Sequence, residues 1–148
     1  MDAIKIDGVT LTPLKIIPNP KGGILHAMKQ NDAGYKGFGE AYFSIVNYGE
    51  IKGWKKHARM TLNLIVPAGE IKFVMYDDRL ESKTRTNFYE VRLSPKNYKR
   101  LTVEPGIWMA FQGIDRYLNI LLNIANIEHD PLEGESIGIN DIKYNWEL

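Results

Sequence analysis

The residues best able to do chemistry stand together in Lys52-Gly53-Trp54-Lys55-Lys56-His57-Ala58-Arg59, four cations and one imidazole within eight residues. Such a run reads in two ways. A charged segment between strands is ordinarily a solvated loop. The same residues also suit an anion site, in which several cations grip a diphosphate and Trp54 covers a ring. Imidazole is the side chain whose ordinary titration range spans neutral pH, so His57 is the first candidate for proton transfer. A lysine serves as a base only where burial or nearby cations lower its pKa, which makes Lys55 the second. Lys56 and Arg59 read as surface charges, and Arg79 as the ion-pair partner of Asp77 or Asp78.

The other chemistries are poorly supplied. The three histidines, His26, His57 and His129, lie far apart and show no metal-ligand spacing. Lys55 occupies the place two residues before His57 where a second imidazole would be needed. No metal and no cofactor are therefore expected. No glycine-rich phosphate loop precedes a helix, and no nucleophile elbow is present. Cysteine is absent, which excludes disulfides, thiolate catalysis and zinc–thiolate sites.

The elements that must position these residues read as strands. Tyr42–Val46, Met60–Val66, Ile71–Tyr76, Phe88–Leu93, Arg100–Val103, Trp108–Phe111 and Leu118–Ala125 are short, and most alternate or are rich in β-branched and aromatic residues. Between them stand turn signals such as Asn47-Tyr48-Gly49, Pro67-Ala68-Gly69 and Pro105-Gly106. Short strands at this spacing predict a sandwich or barrel. Helix is scarce, the best candidate being one turn at Ser94-Pro95-Lys96-Asn97-Tyr98, with Ser94 as its cap. The polar stretch from His129 to Leu148 reads as an irregular tail that packs back. Asn123 on an apolar strand must hydrogen-bond inside the barrel or touch a ligand, since buried amides need a partner.

The 148 residues fit one domain, expected to span 1–148. With 19 basic and 18 acidic residues the net charge is +1, which argues against nucleic-acid or membrane-surface binding. No apolar run approaches the roughly 20 residues of a membrane span, and Met1-Asp2-Ala3-Ile4-Lys5 lacks a signal peptide's apolar core. The expectation is a soluble, cytoplasmic protein.

The charged cluster sits inside a longer pattern. Phe38-Gly39-Glu40-Ala41-Tyr42-Phe43-Ser44 and Gly49-Glu50-Ile51-Lys52-Gly53-Trp54 resemble the first active-site strand and following turn of the dTDP-4-dehydrorhamnose 3,5-epimerase family. Gly69-Glu70-Ile71, Val74 and Asp77-Asp78-Arg79 resemble its central hairpin, and Leu93-Ser94-Pro95-Lys96-Asn97 with Pro105-Gly106-Ile107-Trp108-Met109-Ala110-Phe111 its next segment. The resemblance runs from about Asn19 to Asp141 and rests on the order and spacing of these segments. It implies an all-β double-stranded β-helix, the cupin or jelly-roll barrel, in a homodimer that exchanges an N-terminal strand. It also implies a nucleotide-sugar substrate, a 4-keto sugar epimerised or isomerised by proton transfer beside the ketone, in surface polysaccharide biosynthesis.

Carried over residue by residue, the resemblance is mixed. The family's arginine becomes Lys52, and its base histidine becomes Lys55 by direct count. His57 lies where related sugar isomerases also carry a histidine. The family's lysine falls near Leu62, a histidine is replaced by Met109, and the tyrosine acid falls near Asn123. Asp141 corresponds to the aspartate that orients the base. Lys21 and His26 replace an arginine and a glutamate of the exchanged strand, and Glu40 and Tyr42 replace a glutamine and an asparagine of the pocket. The implied catalytic set is His57, Lys55 and Asp141. The implied substrate-binding set is Lys21, His26, Glu40, Tyr42, Lys52 and Asn123, with Lys21 and Lys52 meeting the anion. The alternative is a sugar-binding cupin that has lost its proton-transfer groups.

Overall fold

The computed structural model describes residues 3–148. The strands are β1 (Val9–Pro13), β2 (Ile16–Ile17), β3 (Ile24–Leu25), β4 (Glu40–Ile45), β5 (Ile51–His57) and β6 (Leu62–Ala68). They continue with β7 (Ile71–Asp77), β8 (Phe88–Leu93), β9 (Lys99–Val103), β10 (Ile107–Gly113), β11 (Ile120–Ala125) and β12 (Gly134–Ser136), before a 3-10 turn at Ile139–Asp141. Two five-stranded antiparallel sheets result, one ordered β1-β9-β6-β11-β4 and the other β12-β5-β10-β7-β8, with β2 and β3 forming a separate ribbon. This is the jelly-roll arrangement that the strand spacing and the resemblance predict.

Alternation explains the layers. In β7, Ile71, Phe73 and Met75 enter the core between the sheets, where Leu64, Val66, Leu93, Leu101 and Leu121 meet them. Their neighbours Val74 and Tyr76 point the other way and join Trp54, Trp108 and Ala110 in a second apolar cluster. The C-terminal segment covers that outer face with Ile137, Ile139, Ile142, Tyr144 and Trp146. It is tied down by hydrogen bonds from Trp54 Nε1 to Ile139 O (3.1 Å) and from Gln112 Nε2 to Trp146 O (3.1 Å). Lys72 lies under it at 2% exposure, its Nζ 3.3 Å from Glu147 O and 5.5 Å from the centre of the Trp146 ring. The tail expected from composition thus packs back as a third layer.

The outer face of the other sheet is only partly covered. The segment after β3 lies over Arg100, whose Nη1 and Nη2 donate to Ala27 O (3.0 Å) and Ala33 O (2.8 Å). Asn63 Nδ2 donates to Gly34 O at 3.0 Å. Beyond this arm Phe38, Phe43 and Ile45 are exposed apolar side chains.

Two expectations need correction. Ser94–Tyr98 forms no helical turn. Ser94 and Asn97 pair as an isolated bridge, and Ser94 Oγ accepts the N–H groups of Lys96 (3.1 Å) and Asn97 (3.2 Å), so the serine caps a tight turn. The Lys52–His57 run is no solvated loop but strand β5, paired with β10 and β12.

Trp54 is wholly buried between β5 and the C-terminal layer. Trp54→Ala is expected to lower stability by about 3–5 kcal/mol, through lost burial and the cavity left behind, as read by urea unfolding.

Candidate active site

A one-residue irregularity in β5 decides what faces the barrel interior. Lys52 pairs with Phe111 and Lys55 with Met109, so Gly53 and Trp54 together oppose the single residue Ala110. Strict alternation from Lys52 would send Lys55 and His57 outward. The bulge shifts the count by one, so Lys52, Lys55 and His57 all line one cavity, while the Trp54 ring goes to the outer layer. Only glycine suits position 53. Its φ is +139°, and a Cβ there would lie 2.5 Å from the Ala110 Cβ and 2.7 Å from its Cα.

The cavity is about 280 Å³ and lies between the sheets. Lys52, Lys55 and His57 form one wall, and Tyr42, Ser44 and Asn123 from β4 and β11 form another. Leu62, Leu64, Met109, Phe111 and Leu121 give it an apolar floor continuous with the core. Ser136 of β12 stands at its edge.

His57 is oriented by a residue that sequence reasoning missed. Its Nδ1 is hydrogen-bonded to Glu133 Oε1. The other carboxylate oxygen, Oε2, accepts the backbone N–H groups of Arg59 (3.0 Å) and Met60 (3.1 Å). Burial works to raise the Glu133 pKa, but the Arg59 N–H, the imidazole and the Met60 N–H outweigh it and hold the group at about 2. An ionised Glu133 accepts a hydrogen bond from the Nδ1–H, which leaves the free lone pair on Nε2. Gly134, the next residue, pairs with His57 in the sheet. A Cβ at Gly134 would lie 3.1 Å from the Lys55 Cε and 3.7 Å from His57 Nδ1, so its bare backbone leaves both side chains their place.

On the opposite wall Asn123 and Tyr42 are cross-strand partners. Asn123 Nδ2 donates to the Tyr42 hydroxyl at 3.0 Å, which leaves the phenolic proton free for another acceptor. Asn123 Oδ1 is buried without a partner, an acceptor ready for a ligand hydroxyl. Lys52 Nζ donates to Ile45 O at 2.9 Å. The cavity therefore has an oriented imidazole and two cations on one wall and a phenolic hydroxyl with an unpartnered amide oxygen on the other.

Four expected residues lie elsewhere. Asp141 does not orient His57, because its Oδ2 accepts the Gly138 N–H at 2.7 Å and closes its own 3-10 turn. Glu40 accepts the His129 N–H at 2.6 Å and does not line the cavity. Lys21 is exposed in the turn between β2 and β3. His26 lines a different hollow beside the arm. Nothing local to position 133 marks Glu133, since its partner is 76 residues away and only the β12–β5 pairing brings them together. Of the outward charges, Lys56 pairs with Asp78 at 3.4 Å over the Trp108 ring, Arg59 with Asp130 at 3.3 Å, and Arg79 with Asp77 at 2.9 Å. Among the described residues no group of three or more His, Cys, Asp or Glu side chains is placed to hold a metal ion.

Fold and cavity together define a cupin with a polar-walled cavity inside its barrel. No family model matches the chain, and no curated protein matches it. Among solved structures, a dTDP sugar isomerase from Desulfovibrio desulfuricans G20 superposes with a TM-score of 0.94 at 32% identity, over 99% of this chain and 95% of that one. The chain belongs to that dTDP-sugar isomerase family, within the dTDP-4-dehydrorhamnose 3,5-epimerase-like cupins. The same fold is seen in a dTDP-6-deoxy-D-glucose-3,5-epimerase from Legionella pneumophila Philadelphia 1, in complex with dTDP-4-keto-L-rhamnose, at TM-score 0.82 and 21% identity over 93% of this chain and 77% of that one. It is seen again in a 3'-monoepimerase from Streptomyces bikiniensis in complex with dTDP-quinovose, at TM-score 0.84 and 15% identity over 95% and 75% of the two chains.

The Glu133 carboxyl has a pH consequence. Its folded pKa, about 2, is below the ordinary 4.5, so its contribution to stability is fully present above the ordinary value and is lost as pH falls toward 2. Acid unfolding followed between pH 6 and pH 2 is expected to show this loss, on the order of 2–3 kcal/mol, and Glu133→Gln is expected to flatten the slope.

Proposed function

We propose that the protein is a nucleotide-sugar epimerase or isomerase that moves a proton beside the ketone of a dTDP-linked 4-keto sugar, in the synthesis of a surface polysaccharide. The observation that carries this reading is the Glu133-oriented His57 facing Tyr42 and Asn123 across one cavity. His57 Nε2 removes the proton on the carbon next to the ketone. The negative charge that develops on the ketone oxygen is held by the Lys55 ammonium, which has no hydrogen-bond or ion-pair partner of its own among the described residues. Tyr42 returns a proton from the other wall. It acts as the acid from β4, the strand beside the one on which the resemblance expects a tyrosine. Asn123 Oδ1 accepts a sugar hydroxyl, Lys52 meets the diphosphate, and the apolar floor takes the deoxy end of the sugar.

A homodimer fits the same reading. Lys21 and His26 do not reach the cavity of their own chain. The β2–β3 ribbon that carries Lys21 exposes Ile16, Ile17, Ile24 and Leu25, and Phe38, Phe43 and Ile45 are exposed as well. An exchanged ribbon in a second copy would bury these side chains and bring Lys21 to the partner's cavity. A concentration series in analytical ultracentrifugation is expected to give a dimer, with Phe43→Glu shifting it to monomer.

Incubation with dTDP-linked 4-keto sugars in deuterated water tests the chemistry. Ring deuterium is expected by NMR, and His57→Asn is expected to slow its uptake by about 10²–10⁴-fold. Tyr42→Phe is expected to reduce net inversion more than deuterium uptake, because the base remains. Binding of dTDP with no ring deuterium from any of several such sugars would select instead the sugar-binding cupin without catalysis.

A further inference from the structure

A second hollow, of about 230 Å³, lies outside the barrel between the end of β1 and the arm that follows β3. Thr12, Lys15, His26, Lys29, Asp32 and Arg100 give it its polar lining. Arg100 is wholly buried. Its two terminal nitrogens are occupied by Ala27 O, Ala33 O and Asp32 Oδ2, the last at 3.3 Å. Its Nε, by contrast, is buried with no partner at all. A buried charged donor without an acceptor is costly, and native structures seldom leave one empty.

The surroundings point to what would fill it. Neither Lys15 nor Lys29 has a side-chain hydrogen bond or ion pair among the described residues, and both line the hollow. Asp32, the carboxylate there, accepts the Lys29 N–H at 2.8 Å and an Arg100 N–H through one oxygen, and these bonds with the Arg100 and Lys29 charges outweigh burial and hold its pKa below the ordinary carboxylate value. The His26 backbone is pinned on both sides, its N–H donating to Lys15 O (3.0 Å) and its carbonyl accepting from the Tyr98 hydroxyl (2.7 Å), so the imidazole is held at the rim. Two ammonium groups and the guanidinium thus outnumber the one carboxylate in the lining.

We propose that this hollow is a binding site for a small tetrahedral oxyanion of the phosphate class, separate from the cavity inside the barrel. One oxygen meets Arg100 Nε, and the others meet the Lys15 and Lys29 ammonium groups, with His26 at the edge. Lys15 follows β1 and Lys29 belongs to the arm, so a bound anion cross-links the arm to the sheet. The site does not depend on the reaction proposed for the barrel.

Titration of the full chain with inorganic phosphate at low ionic strength, followed by calorimetry, tests the assignment. A saturable binding component is expected that is weakened about tenfold or more in Lys15→Gln/Lys29→Gln and persists in Lys52→Gln/Lys55→Gln. Thermal unfolding supplies a second reading, in which phosphate raises the Tm of the unaltered chain but not of Lys15→Gln/Lys29→Gln. Absence of saturable binding overturns the proposal. So does loss of binding in the Lys52/Lys55 variant with retention in the Lys15/Lys29 variant, or equal weakening in both. Deuterium uptake into the sugar is a separate readout and can fail or succeed independently.

Discussion

The arrangement inside the barrel depends on one steric fact, the packing of Gly53 against Ala110. With a Cβ at position 53 only 2.5 Å from the Ala110 Cβ, any other residue would push β5 away from β10. The tight approach permits the two-against-one pairing, and that pairing sets the side-chain phase of the rest of β5. Lys55 and His57 face inward for this reason alone. The outward turn of Trp54 follows from the same count, and the C-terminal layer grips that ring from outside. One close backbone contact thus links the interior cations, the imidazole and the third layer.

Glu133 shows how a site can be completed from a sheet edge. β12 is only three residues long, yet its pairing with Lys55, Lys56 and His57 places the residue just before it beside the imidazole. The carboxylate is surrounded by two backbone N–H donors as well as His57, so it stays ionised despite being buried. The edge strand therefore supplies the charge that chooses the histidine tautomer.

The strands that build the core were legible because their inward residues are apolar. Ile71–Tyr76 and Phe88–Leu93 alternate or are β-rich, and they fold as read. β5 was not legible, because its inward residues line a polar cavity and carry charge. Lys52-Gly53-Trp54-Lys55-Lys56-His57 has no apolar period, and its bulge breaks what period remains. Tyr42, Lys52, Lys55, His57 and Asn123 were reached through residue type and family pattern, and all line the cavity. Glu133 stands where Asp141 was expected because the choice between acids near the C-terminus is made by strand register, which no short-range spacing encodes. Arg100 presents the same difficulty in another form, since two of its three partners are carbonyl oxygens of the arm, and main-chain acceptors leave no mark in sequence.

The two lysines on the cavity wall also bear on how a ligand arrives. The chain as a whole is almost neutral, with a net charge of +1, so its far field is weak. Lys52 and Lys55 nevertheless share one concave wall above an apolar floor, with no carboxylate in the lining. An anionic ligand diffusing past feels little attraction until it comes within about a Debye length, roughly 8 Å at physiological salt. The field then rises steeply, because the low-dielectric walls concentrate it at the mouth. Capture of this kind favours molecules that carry charge at one end and a neutral ring at the other, and orients them charge-first toward β5 before any close contact is made.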